Sequence, residues 1–287
     1  MTFAFRRIAT LGKFTISLPI ALTCYIAYVL FDNQLSWLGA YAAIGIFCMS
    51  AGASALNQLQ EFRRDTLMNR TRQRPIPIGA INKTQAIAII SLFLIVGSLV
   101  LYSFGMNTVL WGWMGVIWYN LIYTPLKTRT AFSVFPGAIV GAIPPIAGWV
   151  AAGGSWLDYQ IHFIAFFFFL GQMPHFWLLV LKYRKQYKEA GFPVITDYLK
   201  SKQVIRINLV WFIATFISVL FLPILKILSN NIVSWIALIS AILMIAWSIN
   251  STQQFIKTNS NNHLRKQFIY FNSFYLWVML LMLADQL

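Results

Sequence analysis

Nine apolar runs, about 14–31, 35–56, 85–104, 106–124, 131–152, 159–181, 204–225, 232–250 and 267–284, are each near the ~20 residues that a bilayer requires of a spanning helix. In hydrocarbon each segment must satisfy its own backbone, so runs of this kind admit only helices. The expected fold is an all-α polytopic membrane protein. One domain, 1–287, forms a bundle of nine transmembrane helices around a central cavity open to the cytoplasm. Charge agrees with this class: charged residues make up 10% of the chain, against about 25% in a soluble domain. The run after Arg6, Arg7 and Lys13 is too long for a signal-peptide core and reads as the first span. Cys24 and Cys48 both lie in apolar runs without metal-like spacing, which makes them small buried hydrophobes.

The net charge of +15 invites a nucleic-acid reading. The position of the charges excludes it. Of the 22 lysines and arginines, 21 fall at the N-terminus and in alternate short loops, and Lys226 stands alone on the other side. That asymmetry puts the N-terminus in the cytoplasm and the C-terminus outside. Glu61, Asp65, Glu189 and Asp197 fall on the cytoplasmic side, as do the two longest loops, about 57–84 and 182–203. Chemistry is expected there.

The stretch Asn57–Pro75 holds two of the chain's seven acidic residues together with five arginines. Asn57, Glu61 and Asp65 are spaced i, i+4, i+8, so a helix puts them on one face. Hard oxygen ligands of this sort suit Mg²⁺, which takes one or two carboxylates plus substrate phosphates. Arginines such as Arg70 and Arg74 present forks that match the phosphates. A solvated, salt-bridged helix end is the plainer reading of the arginines alone. Carboxylates in register beside a bilayer need a further reason.

Other segments carry weaker signals. Tyr119, Tyr123 and Lys127 repeat at i, i+4, i+8, as pocket lining or as an interfacial aromatic belt with a snorkelling lysine. The fifth run holds Gly137-Ala138, Gly141-Ala142 and Pro144-Pro145, which suggest close packing and a kink. His175, in Pro174-His175-Phe176-Trp177, is an ionisable residue inside a span. It could ligate haem iron, hold a polar substrate group, or be a hydrogen-bonded structural residue. The stretch Lys182–Pro193, with Lys185, Gln186, Tyr187 and Glu189, reads by itself as a solvated basic loop.

Taken together, these segments resemble the UbiA-type intramembrane prenyltransferases, and among them the protohaem IX farnesyltransferases. The match lies in Asn57-xxx-Glu61-xxx-Asp65-xx-Met68-x-Arg70-Thr71-xx-Arg74-Pro75, in Tyr123-Thr124 with Lys127, Arg129 and Thr130, in the Gly-Ala and Pro-Pro run, in Pro174-His175-Phe176-Trp177, and in Tyr187-xx-Ala190-Gly191-x-Pro193. Gln186 departs from the pattern, since the family has Asp there. Glu189 lies three residues on, on the same face if the loop is helical.

The resemblance implies a Mg²⁺-dependent transfer of farnesyl from farnesyl diphosphate to haem B, yielding haem O at a bacterial inner membrane. It implies metal ligation by Asn57, Glu61 and Asp65, with Arg70, Arg74 and Lys127 on the leaving diphosphate. Tyr119, Tyr123, His175, Trp177, Lys185, Gln186, Tyr187 and Glu189 would line the substrate sites. The implied partners are the two substrates, the lipid bilayer and a haem A synthase or oxidase assembly step, with no nucleic acid. A related prenyltransferase with another aromatic or tetrapyrrole acceptor, or a non-catalytic haem-binding relative, is the alternative.

Overall fold

A computed structural model describes residues 3–287. Among these the chain is helical, with no strand. The helices are α1 (Phe3–Leu11), α2 (Phe14–Asp32), α3 (Trp37–Asp65), α4 (Lys83–Tyr102), α5 (Met106–Ile117), α6 (Thr124–Lys127), α7 (Val134–Ala151), α8 (Tyr159–Glu189), α9 (Ser201–Ile224), α10 (Asn231–Thr258) and α11 (Asn261–Ala284). Eight of them, α2 to α4 and α7 to α11, are long and apolar enough to cross a membrane.

The fourth expected span, 106–124, differs from the others. It is a composite of α5 with 12 residues, a π-helical stretch Trp118–Tyr123 and α6 with 4. Pro125, the second residue of α6, has no N–H to give to the preceding turn. Within the stretch the Thr124 N–H reaches back five residues to the Tyr119 carbonyl. Wide turns of this kind are rare and concentrate at functional sites.

Two helices outrun the bilayer. At ~1.5 Å per residue, α3 with 29 residues and α8 with 31 exceed the ~30 Å of hydrocarbon. The Asn57 strip rides out on the end of α3. The stretch 182–189, expected as a loop, is instead the continuing helix of α8. Its Lys, Arg, Gln and Glu residues are good helix formers, although they lose the apolar pattern by which a span is recognised.

A large apolar core joins α7, α8, α9, α10 and α11 with part of α2. A second joins α2 to α3 and α5. Helix α11 packs back on α8 and α2, which closes the bundle. The outward faces are apolar too: Leu92, Ile95 and Leu99 of α4, and Trp235, Ile239, Ile242 and Leu243 of α10, are exposed. In water such faces would associate, and in a bilayer they meet lipid.

Small residues set the closest approaches. A Cβ at Gly148 of α7 would strike the backbone carbonyl of Cys24 in α2, and one at Gly171 of α8 would strike the ring of Tyr275 in α11. The α7 helix runs unbroken through Pro144 and Pro145, both buried. Gly148→Leu should therefore cost at least about 1–3 kcal/mol by overpacking against an immobile backbone. Thermal unfolding in detergent should show this loss. Gly115→Ala, whose methyl meets only Ile143 at 3.7 Å, should leave the midpoint unchanged.

Candidate active site

The strip on α3 forms as its spacing requires. Asn57, Glu61 and Asp65 are all buried, at 2%, 4% and 0% exposure. A buried carboxylate needs a cation, and each has one. Lys127 donates to both Glu61 oxygens, at 3.0 and 2.9 Å. Arg74 donates to Oδ2 of Asp65 at 2.7 Å. Asn57 Oδ1 accepts from a third cation, Lys13, at 2.9 Å. Every member of the strip thus faces a positive side chain from a different part of the chain.

Lys13 is the residue that sequence reasoning missed. By position alone it is one more topology-setting lysine. A break in the helix places it. Gly12 and Lys13 lie between α1 and α2, and Lys13 has a left-handed φ of 46°. Gln58, one residue after Asn57, is fully buried and donates Nε2 to the carbonyls of Thr10 and Leu11, at 2.8 and 2.9 Å. These two bonds reach carbonyls of the last turn of α1 and hold the break against α3. Burial, together with the charges of Arg74 and Lys127, lowers the Lys13 ammonium to about 7, against the pull of Glu61 and Asp65. The available signal was an ionic residue beside a glycine at the mouth of a long apolar run.

The π stretch supplies the opposite wall. Asn120 donates to the Ala53 carbonyl at 3.0 Å and to Gln60 Oε1 at 3.1 Å, and Gln60 donates back to the Asn120 carbonyl at 3.1 Å. This lock turns Tyr119 and Tyr123 inward as a stacked pair, with centroids 5.7 Å apart. Thr124 accepts from Asn57 Nδ2 at 3.1 Å, and Tyr119 accepts from Lys13 at 3.4 Å. The expected straight α-helical face is therefore a widened one. Lys127 still meets Glu61 from it.

From the other half, the end of α8 covers the site. Arg70 donates its backbone N–H to Gln186 Oε1 at 3.2 Å and its guanidinium to the Tyr187 hydroxyl at 3.3 Å. Gln186 thus ties the segment after α3 to α8. Phe192 packs under Lys127, whose ammonium lies 4.8 Å from the ring centre. A narrow cleft of about 50 Å³ opens between Tyr123, Lys127, Phe176, Trp177, Tyr187 and Phe192. Lys185 and Glu189, expected to line it, are exposed and absent from its wall. His175 is half-buried in α8 and faces α11 rather than the carboxylate strip.

The donor set fits a shared Mg²⁺ better than a resident one. Among the described residues no group of three or more His, Cys, Asp and Glu is arranged to hold a metal. Two carboxylates and one amide oxygen are present, and Oδ1 of Asp65 is buried with no partner. That oxygen has a lone pair to give to a cation. Lys127 and Arg74 balance the two carboxylates, and Lys13 when protonated tips the site positive, the sign a diphosphate requires.

The ion pairs should be measurable. Lys127→Met leaves Glu61 buried without its bonded ammonium, a loss of about 3–5 kcal/mol for pairs of this kind. Glu61→Met added to it should restore much of the thermal stability of the ligand-free protein. Losses that simply add would show that the two side chains are uncoupled.

Comparison with known proteins agrees with this geometry. Residues 16–279 match the UbiA prenyltransferase family. The protoheme IX farnesyltransferase of Geobacter sulfurreducens is 39% identical over 206 residues, 71% of this chain and 75% of that protein. The protein of that name from Cytophaga hutchinsonii is 34% identical over 247 residues, 85% of this chain and 86% of that protein. Among solved structures, a UbiA homolog from Archaeoglobus fulgidus bound to DMAPP and Mg²⁺ superimposes with a TM-score of 0.68 at 13% identity, covering 98% of this chain and 99% of that one. The chain belongs to the UbiA prenyltransferase family, alongside the protohaem IX farnesyltransferases within it.

Proposed function

We propose that the protein transfers the farnesyl group of farnesyl diphosphate to a vinyl group of haem B, giving haem O. The observation that carries this reading is the buried strip of Asn57, Glu61 and Asp65, faced by Lys13, Lys127 and Arg74 at the mouth of an aromatic cleft. Relatives named protoheme IX farnesyltransferase support the acceptor, and the UbiA homolog bound to DMAPP and Mg²⁺ supports the metal.

Asn57, Glu61 and Asp65 would hold Mg²⁺, which when bound supplies positive charge to the leaving diphosphate. Lys127, Arg74 and Lys13, bonded to those residues, would offer their positive charge to the phosphate oxygens. Arg70, held by Gln186 and Tyr187, adds a fork at the rim. The allylic C–O bond breaks and its electron pair leaves with the diphosphate. The stacked faces of Tyr119 and Tyr123 stabilise the farnesyl cation. The haem vinyl carbon attacks it, and the resulting benzylic-type cation takes up water and loses a proton, which leaves a hydroxyethylfarnesyl group. Phe176, Trp177 and Phe192 keep water from the first cation. His175, on the α11 side, is assigned to haem rather than to diphosphate.

The same reading puts the protein in a bacterial inner membrane with its N-terminus cytoplasmic and its C-terminus outside. It implies a haem A synthase or an oxidase assembly step as consumer of the product. A non-catalytic haem-binding relative is the second reading, favoured by Gln186 standing where the family has Asp.

Membranes given haem B, farnesyl diphosphate and Mg²⁺ should yield a haem with added farnesyl mass, and chelation should stop it. Asp65→Ala should reduce turnover by at least 10³-fold, on the scale of several kcal/mol that a catalytic metal supplies to a transition state. Normal turnover in that variant would remove the metal assignment. No farnesylated haem from the native chain would favour the second reading. A reporter fused after Leu287 should read as periplasmic, since the 21-to-1 basic asymmetry sets that orientation. A cytoplasmic signal would reverse it.

A further inference from the structure

His175 leaves α8 in a direction of its own. Phe176 beside it packs on Tyr123, at 5.9 Å between centroids, and so belongs to the diphosphate side. His175 instead lies against Phe268 of α11, at 4.8 Å, with its edge to Phe176 at 6.0 Å. Its Nδ1 is 3.3 Å from Oδ1 of Asn272. No hydrogen bond reaches its Nε2 from any described residue, and that atom is not among the sealed polar atoms of the core. One ring nitrogen is engaged and the other is open.

Asn272 decides which nitrogen carries the proton. Its Nδ2 donates to the Phe268 carbonyl at 2.6 Å, one turn back on α11. That bond fixes the amide orientation, because a carbonyl oxygen can only accept. The oxygen Oδ1 therefore points to His175, and an amide oxygen also only accepts. The Nδ1 atom must then carry hydrogen, and the Nε2 lone pair is left free. A metal-bound histidine is held in the same way: one nitrogen donates to an oxygen while the other ligates. Farther along the same two helices, Tyr275 of α11 donates to the Phe167 carbonyl and presses on Gly171. This contact closes the α8–α11 seam beyond His175.

We infer that Asn272 is a positioning residue for the acceptor: it holds His175 in the Nδ1–H form, so that Nε2 ligates the iron of haem B. This rests on the haem reading of the previous subsection. The donor strip on α3 plays no part in it, so acceptor and diphosphate are held by separate residue sets.

The test is titration of the purified full chain with haem B and, separately, with a non-hydrolysable farnesyl diphosphate analogue plus Mg²⁺. Asn272→Leu removes the acceptor oxygen. It should weaken haem binding about 10- to 100-fold, the usual cost of losing an outer partner of a metal-bound histidine. The analogue should still bind normally. Asn272→Asp keeps an acceptor and strengthens it, so haem affinity should be retained. The iron–histidine stretch of the ferrous complex, read by resonance Raman, should rise in Asn272→Asp and fall in Asn272→Leu. A packing role would move neither frequency, and it would weaken both ligands alike. Either of those results overturns the inference. If Asn272→Leu matches the native chain while His175→Ala loses haem, Asn272 has no positioning role and the haem reading stands. If His175→Ala binds haem with an unchanged Soret band, the assignment of His175 to haem fails, and the role of Asn272 fails with it.

Discussion

Two carboxylates buried where a helix leaves the bilayer govern the architecture at this end of the molecule. Glu61 and Asp65 are both shut away from bulk solvent, and an uncompensated buried charge costs several kcal/mol. The chain meets this by bringing Lys127 from after the π stretch and Arg74 from the turn beyond α3. Lys13, on Asn57, adds a third tether from the joint between the first two helices. Three segments far apart in sequence converge because each provides one cation. The site is thus assembled by charge before any substrate arrives.

The cation-rich strip and the imidazole on α8 lie on different faces of the bundle's interior. The division follows from adjacent positions on one helix: Phe176 turns to Tyr123 and His175 to Asn272. Phe176 and Tyr123 thus stand between the cation-rich strip and the imidazole. Under the proposed function, a hydrophobic donor tail and a planar acceptor would meet across these rings.

Much of this was legible in the sequence. Period and length gave the helical spans, and the i, i+4, i+8 spacing put Asn57, Glu61 and Asp65 on one face. What was illegible had physical causes. Lys13 obeys the positive-inside pattern, and that pattern accounts for a lysine at the membrane edge without reference to a site. Lys182 to Glu189 read as loop because polar helix carries no apolar period, yet these residues continue α8. Glu189 was expected beside Gln186 as a substitute carboxylate. One turn of helix leaves it exposed, and Gln186 is engaged with the Arg70 backbone. The fourth span was counted from apolar length alone, which cannot distinguish an α turn from a π turn. Asn272 gave no signal at all, since one amide in an apolar helix looks like any other until its neighbours are known.

The π stretch Trp118–Tyr123 has one more consequence. A wide turn takes up an extra residue while leaving the parts of the span before and after it in their own phase. Removing a single residue there would let the backbone close into a regular α-helix. The flanking turns would keep their faces, so Lys127 would still meet Glu61, but side chains inside the stretch would be redirected by up to about 100°. The Asn120 lock and the Tyr119–Tyr123 stack could then not both be kept, with no functional side chain altered. The segment's length is itself a part of the site, and one that substitution scanning, which preserves length, would never reveal.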